Sequence, residues 1–459
     1  MIDTIVIGGG SGGYAAAIRV SQLGGRTVLI EGGEMGGTCV NRGCIPSKIW
    51  MRAATLLHGI RKAREFGIAA SVEPVDFKAI VDRKNGVSAD IRAGMEALLQ
   101  NNGVEVVRGR AAFKSPREVE VDGRVFEAPK VIIATGSVLA FPDIPGLDDA
   151  AVTTDQVLEM TEPPSPVLIL NANPIEVEMA FLLNAFGVAV ILVTDAPRIL
   201  GREDRDTSQR IAQSLREKGV EVLTRHSLRS ISKAEPGNGW TCFLSGGAGE
   251  RAPVVQKVLV ASRKPATANL GLQRAGVELD GEGAIRVTRQ LETTARGIYA
   301  IGDAAGGWML SHAASSMAIV AAENCMGKNG TYPFHLVPRG LWTFPEVGAV
   351  GLSEEEAEKK GLEVEVGGSP YAVNGLAMLR GDVGGAVKIV SDAKHGEILG
   401  VHIVGAGAVD LVGEAVLAMQ LEATVNELAR SIRVHPTFSE TVVDAARDAA
   451  NWALYLPKR

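Results

Sequence analysis

Apolar and polar residues are grouped into two recurring kinds of segment. Short runs that are apolar throughout suit strands buried on both faces of a parallel sheet. They are Thr4-Ile5-Val6-Ile7, Thr27–Ile30, Val131–Ala134, Val167–Leu170, Val188–Val193 and Lys257–Ala261. Between them lie stretches with helical character, the alanine-rich Tyr14–Leu23 and the run Ser47–Leu57. From Lys62 to about Gly103 the pattern predicts helix, with charges such as Arg83, Lys84, Asp90 and Arg92 on a solvated face. Val104–Val107 and Val119–Val121 predict further strands, and an alanine-rich helix follows His312. The last stretch, from Tyr332, alternates strands (Gly385–Val390, Leu399–Val404) with the helices Val409–Met419 and Val425–Arg430. Strands alternating with helices predict an α/β architecture. A Pro/Gly-rich segment, Phe141–Gly146, places a domain boundary near residue 150.

The first strand runs into Gly8-Gly9-Gly10-Ser11-Gly12-Gly13 and then a helix, and the next strand ends in Glu31. That context makes Gly8-x-Gly10-x-x-Gly13 a dinucleotide fingerprint. Gly8 permits the tight turn, Gly10 lets a pyrophosphate approach the backbone, and Gly13 lets helix and strand pack closely. The pyrophosphate rests on the helix N-terminus, and Glu31 accepts from a ribose hydroxyl.

A second strand–turn–helix–strand unit opens at Val167, with the turn Asn171-Ala172-Asn173-Pro174-Ile175-Glu176. Laid on the first, it carries Asn171, Asn173 and Glu176 where the glycines stood. Its counterpart of Glu31 is Thr194, with Asp195 one place late. The expectation is that this turn caps itself, with Asn173 as N-cap, Pro174 at the first helical position and Glu176 completing a capping box. A dinucleotide would then bind weakly or not at all.

Composition narrows the chemistry. Apolar residues make up 46% and charged residues 22% of 459, a globular balance too long for one core, and a net charge of −6 argues against a nucleic-acid footprint. No apolar run reaches a membrane span, the seven histidines show no metal spacing, and the first strand begins at Thr4, leaving no room for a signal peptide. Two of only four cysteines, Cys39 and Cys44, stand five residues apart in Gly36-Gly37-Thr38-Cys39-Val40-Asn41-Arg42-Gly43-Cys44-Ile45-Pro46-Ser47-Lys48. At that spacing both thiols are expected in the first turn of one helix, where amide dipoles favour thiolate. Glycines, Asn41, Arg42 and Lys48 are poor company for two core thiols, and a zinc site lacks further ligands, so a redox disulfide is the better reading. Such chemistry suits a reducing cytoplasm. Near the C-terminus, His435-Pro436-Thr437-Phe438-Ser439-Glu440 offers a histidine with a carboxylate to orient it, as a general base requires. Gly302-Asp303 ends another strand with a carboxylate that can accept from a polyol hydroxyl.

Taken over the whole length, GGTCVNRGCIPSK, HPTFSE, and Val401-His402-Ile403-Val404-Gly405 resemble the flavin-dependent pyridine nucleotide-disulfide oxidoreductases, and among them most the dihydrolipoamide dehydrogenases. The resemblance implies two Rossmann-like domains, of FAD and NAD type, and a C-terminal α+β dimerisation domain. The implied bounds are 1–150 for FAD and the disulfide, 151–270 for the NAD-type domain, 271–335 for a return to the FAD side, and 336–459 for dimerisation. It implies Cys39 as the thiol that meets substrate, Cys44 against the flavin, and His435 as a base supplied across a homodimer with Glu440 as its partner. Lys48 is implied to pair with Glu178 beside the flavin. Gly8, Gly10, Gly13, Glu31, Thr38, Thr135, Gly136, Gly302, Asp303 and His312 match FAD contacts. The implied substrate is a dihydrolipoyl group on a carrier protein, or a small dithiol. The departures cluster in the nicotinamide site: the second fingerprint, and Ser262 directly before Arg263 where relatives have glycine. NAD use is therefore expected to be weak or absent. Glutathione reductase-like and mercuric reductase-like activities, or an FAD-holding protein without turnover, are the alternatives.

Overall fold

The computed structural model describes residues 1–235, 237–247 and 249–457. The chain forms two compact units. The first comprises Met1–Pro142, Thr153–Glu162 and Val260–Pro333; the second comprises Asp143–Val152, Pro163–Leu259 and Phe334–Arg459.

The first unit is built on a parallel sheet. Strand β1 (Thr4–Ile7) leads through helix α1 (Ser11–Gln22) to β2 (Thr27–Glu31). Helices α2 (Gly37–Asn41), α3 (Cys44–Lys62) and α4 (Phe77–Asn101) precede β3 (Glu105–Arg108). The sheet order is Ile298–Ala300, Lys130–Ile133, β1, β2, β3. Ile5, Val6, Val28, Leu29, Val131 and Ile132 are fully buried, each side chain worth about 2 kcal/mol in transfer from water. That burial on both faces is why these strands read as unbroken apolar runs.

The helix expected from Lys62 to Gly103 is broken. After α3 a single 3₁₀ turn, Ala63–Phe66, ends at Gly67 with φ +78°, and α4 begins only at Phe77. Gly67 supplies the left-handed residue that stops a helix, and Asp76 restarts one by accepting a hydrogen bond from the Ala79 N–H at 3.0 Å.

The second unit contains the second copy and the C-terminal sheet. Val167–Leu170, Val190–Val193 and Glu221–Leu223 pair in parallel. Beyond them, Arg339–Leu341, Val347–Gly351, Ile398–Val404, Ala386–Asp392 and Val364–Pro370 form an antiparallel sheet in that order. Helices Ala408–Gln420, Val425–Arg430 and Ser439–Ala449 belong to the same core, through Val412, Leu428 and Val442. Among the described residues no helix is long and apolar enough to cross a membrane.

Candidate active site

The glycine turn has the geometry its sequence implies. Gly8 has φ +106°, and a Cβ there would lie 2.3 Å from the Ala134 carbonyl oxygen. A Cβ on Gly13 would lie 1.7 Å from the Gly8 carbonyl oxygen, so only glycine lets α1 seat this close to β1. A Cβ on Gly10 would meet nothing nearer than the Gly37 Cα at 3.9 Å. No side chain caps α1, so its first amides face the open cradle at Gly10. Glu31 stands at the end of β2, its carboxylate accepting from the Gly9 and Gly33 N–H groups, the latter at 2.6 Å.

The same glycines bring in the cysteines. Gly36 donates its N–H to the Gly9 carbonyl at 2.9 Å and, with Gly37, takes positive φ, which lays α2 against the turn. The two thiols do not share a helical turn. Cys39 lies within the five-residue α2, and Cys44 is the first residue of the nineteen-residue α3. Asn41 closes α2 on itself, donating to the Gly37 and Met35 carbonyls at 2.8 and 3.0 Å, and Arg42-Gly43 turns the chain. Cys44 is thus the thiol at the positive end of a long helix dipole. Cys39 is the activated one. Its thiol is lowered to about 6, chiefly by the hydrogen bond from Cys44, against the opposing effect of burial, with the Ser311 and Ser11 hydroxyls also lowering it. Cys242 and Cys325, both buried, are pushed up to about 12. Lys48 follows Cys44 by one turn of α3 and is half-buried.

Several of the remaining FAD-type residues of this unit are linked through the half-buried Arg263. Asp303, in the 3₁₀ turn Gly302–Ala305, accepts from the Ser137 hydroxyl at 2.6 Å. Arg263 donates to that hydroxyl at 2.8 Å, to the Ser137 carbonyl at 2.9 Å and to the Thr38 hydroxyl at 3.2 Å. Thr135 donates to the Ala266 carbonyl at 2.8 Å, Gly136 has φ +73°, and Gly302 has φ +62°. His312 is the second residue of the helix Ser311–Cys325 and is exposed. Ser11, Ser311 and Arg263 were not recognisable as site residues in the sequence. Ser11 stood inside the fingerprint, and Arg263 beside the departure at Ser262, but their partners are 300 and 126 residues away.

The second turn repeats the first in its backbone. Asn171 donates to the Val193 carbonyl at 2.8 Å as Gly8 does to Ile30 at 2.8 Å. Asn171 has φ +77°, and the helix N-cap torsions are −80°, 178° at Asn173 against −72°, −173° at Gly10. The expected capping box is not formed: Asn173 is the N-cap and Pro174 opens the helix, but Asn173 makes no side-chain cap hydrogen bond. Asn173 is exposed, Glu176 is buried, and the turn is held from outside by the Leu200 N–H on the Ala172 carbonyl at 2.8 Å. What differs is the residues at the three glycine positions, Asn171, Asn173 and Glu176. Glu178, on the same helix, accepts from the Trp342 N–H at 2.8 Å.

His435 and Glu440 form a pair in the second unit. The His435 Nδ1 lies 2.9 Å from the Glu440 Oε1, so the carboxylate holds Nδ1 as donor and leaves Nε2 free to take a proton. Glu440 Oε2 accepts from the Thr437 N–H at 2.8 Å. The imidazole is about three-quarters exposed. Among the described residues no cluster of His, Cys, Asp or Glu is placed to hold a metal ion.

A glycine cradle with a ribose-type carboxylate, an activated dithiol and a carboxylate-held histidine define a flavin-dependent disulfide oxidoreductase. The comparisons agree: residues 2–318 match the pyridine nucleotide-disulphide oxidoreductase family and 337–446 its dimerisation domain, and the chain belongs to that family. It is 39% identical over its whole length to the dihydrolipoyl dehydrogenase of Thermus scotoductus, covering 99% of that protein, and 33% identical to one from Bacillus subtilis over 99% of both. Among solved structures, the HOCl-induced flavoprotein disulfide reductase RclA from Escherichia coli matches at 27% identity and a TM-score of 0.83, over 97% of this chain and 99% of that one. The cofactor is FAD, and the residues around Gly10 fit it: an uncapped helix N-terminus for the pyrophosphate, Glu31 for a ribose, and Asp303 for a polyol.

Proposed function

We propose that the protein oxidises a dihydrolipoyl group, on a carrier protein or as a small dithiol, through Cys39 and Cys44, in the manner of a dihydrolipoamide dehydrogenase. The observation that carries the reading is the activated Cys39 beside Cys44 at a helix N-terminus, in a chain that also holds the His435–Glu440 pair. Full-length identity to relatives named dihydrolipoyl dehydrogenase supports this substrate over that of the RclA-like reductase. The dimerisation segment supports a homodimer in which each chain lends His435 to the other's disulfide. A cytoplasmic setting, where thiols stay reduced, suits the chemistry.

Starting from the Cys39–Cys44 disulfide, His435 Nε2 takes the proton of one substrate thiol. The resulting thiolate attacks Cys39 Sγ; a substrate–Cys39 bond forms, the Cys39–Cys44 bond breaks, and Cys44 leaves as thiolate. His435, having passed its proton to solvent, takes the proton of the second substrate thiol. That thiolate attacks the substrate sulfur bonded to Cys39; the lipoyl disulfide closes, the substrate–Cys39 bond breaks, and Cys39 leaves as thiolate. Two electrons have moved from substrate to the cysteine pair. FAD would be held by Gly8, Gly10, Gly13, Glu31, Thr38, Thr135, Gly136, Gly302, Asp303 and His312, and when bound would supply a two-electron sink for the reduced cysteine pair. Glu440 is the positioning residue for the base, and Lys48 and Glu178 are positioning residues beside the flavin. The altered side chains at Asn173 and Glu176 make NAD a poor final acceptor. His435→Gln should retain FAD and fold while slowing reduction by dihydrolipoamide about 10²–10⁴-fold, the scale of general-base catalysis. An unchanged rate would remove His435 from the mechanism.

A further inference from the structure

The loop that carries His435 is short of local structure: the three residues from Val434 to Pro436 are exposed, and Ile432 is 95% exposed. The base nevertheless has one orientation, set by Glu440 through Nδ1. Glu440 spends its other oxygen on the Thr437 N–H, so the position of Thr437 decides where Glu440 and His435 stand. Thr437 is held from two sides. Its hydroxyl donates to the Val434 carbonyl at 2.8 Å, within the loop. Its carbonyl accepts from the Asn374 Nδ2 at 2.9 Å, from a segment 63 residues away.

Asn374 is 5% exposed and uses both ends of its amide. Its Oδ1 accepts from the Ala377 N–H at 3.0 Å, capping the helix Gly375–Arg380, while its Nδ2 reaches Thr437. The next side chain in the loop is anchored to the same segment: the Phe438 ring stacks on Tyr371 at 5.2 Å and 16°, and the Arg380 guanidinium lies over it at 5.4 Å. Tyr371 in turn donates its hydroxyl to the Ala406 carbonyl at 3.1 Å. Gly375, directly after Asn374, passes so close that a Cβ there would lie 4.0 Å from the His435 Cε1.

We propose that Asn374 is a positioning residue for His435, acting through Thr437 and Glu440. The inference rests on the reading of His435 as the base. It predicts that the Nδ2 donor, and not the helix cap, matters for turnover. Asn374→Ser separates the two, because serine caps a helix about as well as asparagine but its hydroxyl is too short to reach Thr437. The test compares Asn374→Ser, Glu440→Gln and the double variant in the FAD-loaded homodimer, measuring the saturating rate of flavin reduction by dihydrolipoamide, its half-saturating concentration, and Tm. Asn374→Ser should lower Tm only by the few degrees that one lost buried hydrogen bond costs, keep half-saturation, and lower the saturating rate about tenfold. In the Glu440→Gln background it should add little, since residues acting as one chain are non-additive. Equal loss in both backgrounds would make Asn374 a general support of the fold and overturn the inference, as would a wild-type rate in Asn374→Ser. If His435→Gln also reacted at the wild-type rate, the base assignment itself would have failed, which separates the two outcomes.

Discussion

The second turn offers a direct trial of how little separates a dinucleotide site from its loss. Its cap torsions and strand-end hydrogen bond repeat those of the turn that fits FAD, so weak NAD binding would have to come from the side chains of Asn173 and Glu176. At Gly10, the counterpart of Asn173, the absence of Cβ leaves the approach to the backbone open. At Gly13, the counterpart of Glu176, a methyl would lie 1.7 Å from the Gly8 oxygen, so the second helix, which carries a side chain there, cannot seat as close to its strand as α1 does to β1. A carboxylate about 5 Å from a phosphate charge costs about 3 kcal/mol at an effective dielectric near 20, roughly two decades in affinity. Glu176→Gln should recover the charge part, and Glu176→Gly with Asn173→Gly should tighten NAD by at least about a hundredfold. Asn171→Gly should change little, because Asn171 already holds φ +77°. Loss of side chains from the first helical turn costs about 1 kcal/mol of stability, visible in Tm and not in the binding contrast. Calorimetric titration of each variant with NAD measures the effect. Low-micromolar binding by the wild-type protein, or no gain in the double variant, would refute the reasoning.

Two further outcomes follow from the first unit. In the reduced protein, the alkylation rate of Cys39 by iodoacetamide should rise through about pH 6 and level off near neutrality. The lowered value means that thiolate predominates above it, while Cys242 and Cys325, held near 12, should stay unmodified; peptide mapping of the alkylated sites distinguishes them. Gly13→Ala should yield protein that loses FAD on gel filtration, since a methyl 1.7 Å from the Gly8 oxygen must push α1 away from β1; stoichiometric FAD with unchanged Tm would contradict this.

What the sequence made legible is what neighbouring residues decide. Gly8, Gly10 and Gly13 act on each other within one turn, so their spacing announces their geometry. The buried strands announce themselves because both faces are apolar, and His435 reaches Glu440 within five residues. The misjudged features depend on distant contacts or on competition between local signals. The capping box at Asn173 was plausible from spacing, but the structure has Leu200 bonding the turn from outside and Glu176 buried. Helical composition between Lys62 and Gly103 concealed a stop at Gly67, where positive φ ends the 3₁₀ turn. The split of Cys39 and Cys44 onto two helices came from Asn41 folding back on Gly37 and Met35, which spacing alone does not encode. Ser311 and Arg263 reach their partners only through the tertiary fold.

The proposed function requires that electrons from a dithiol enter through Cys39. Anaerobic addition of dihydrolipoamide to the FAD-loaded protein, followed in the flavin absorbance, tests it most directly against Cys39→Ser prepared in the same way. A rapid spectral change is expected in the wild-type protein and none on the same time scale in Cys39→Ser, with FAD content equal in both. A flavin that responds equally in the two proteins, or in neither, would contradict it.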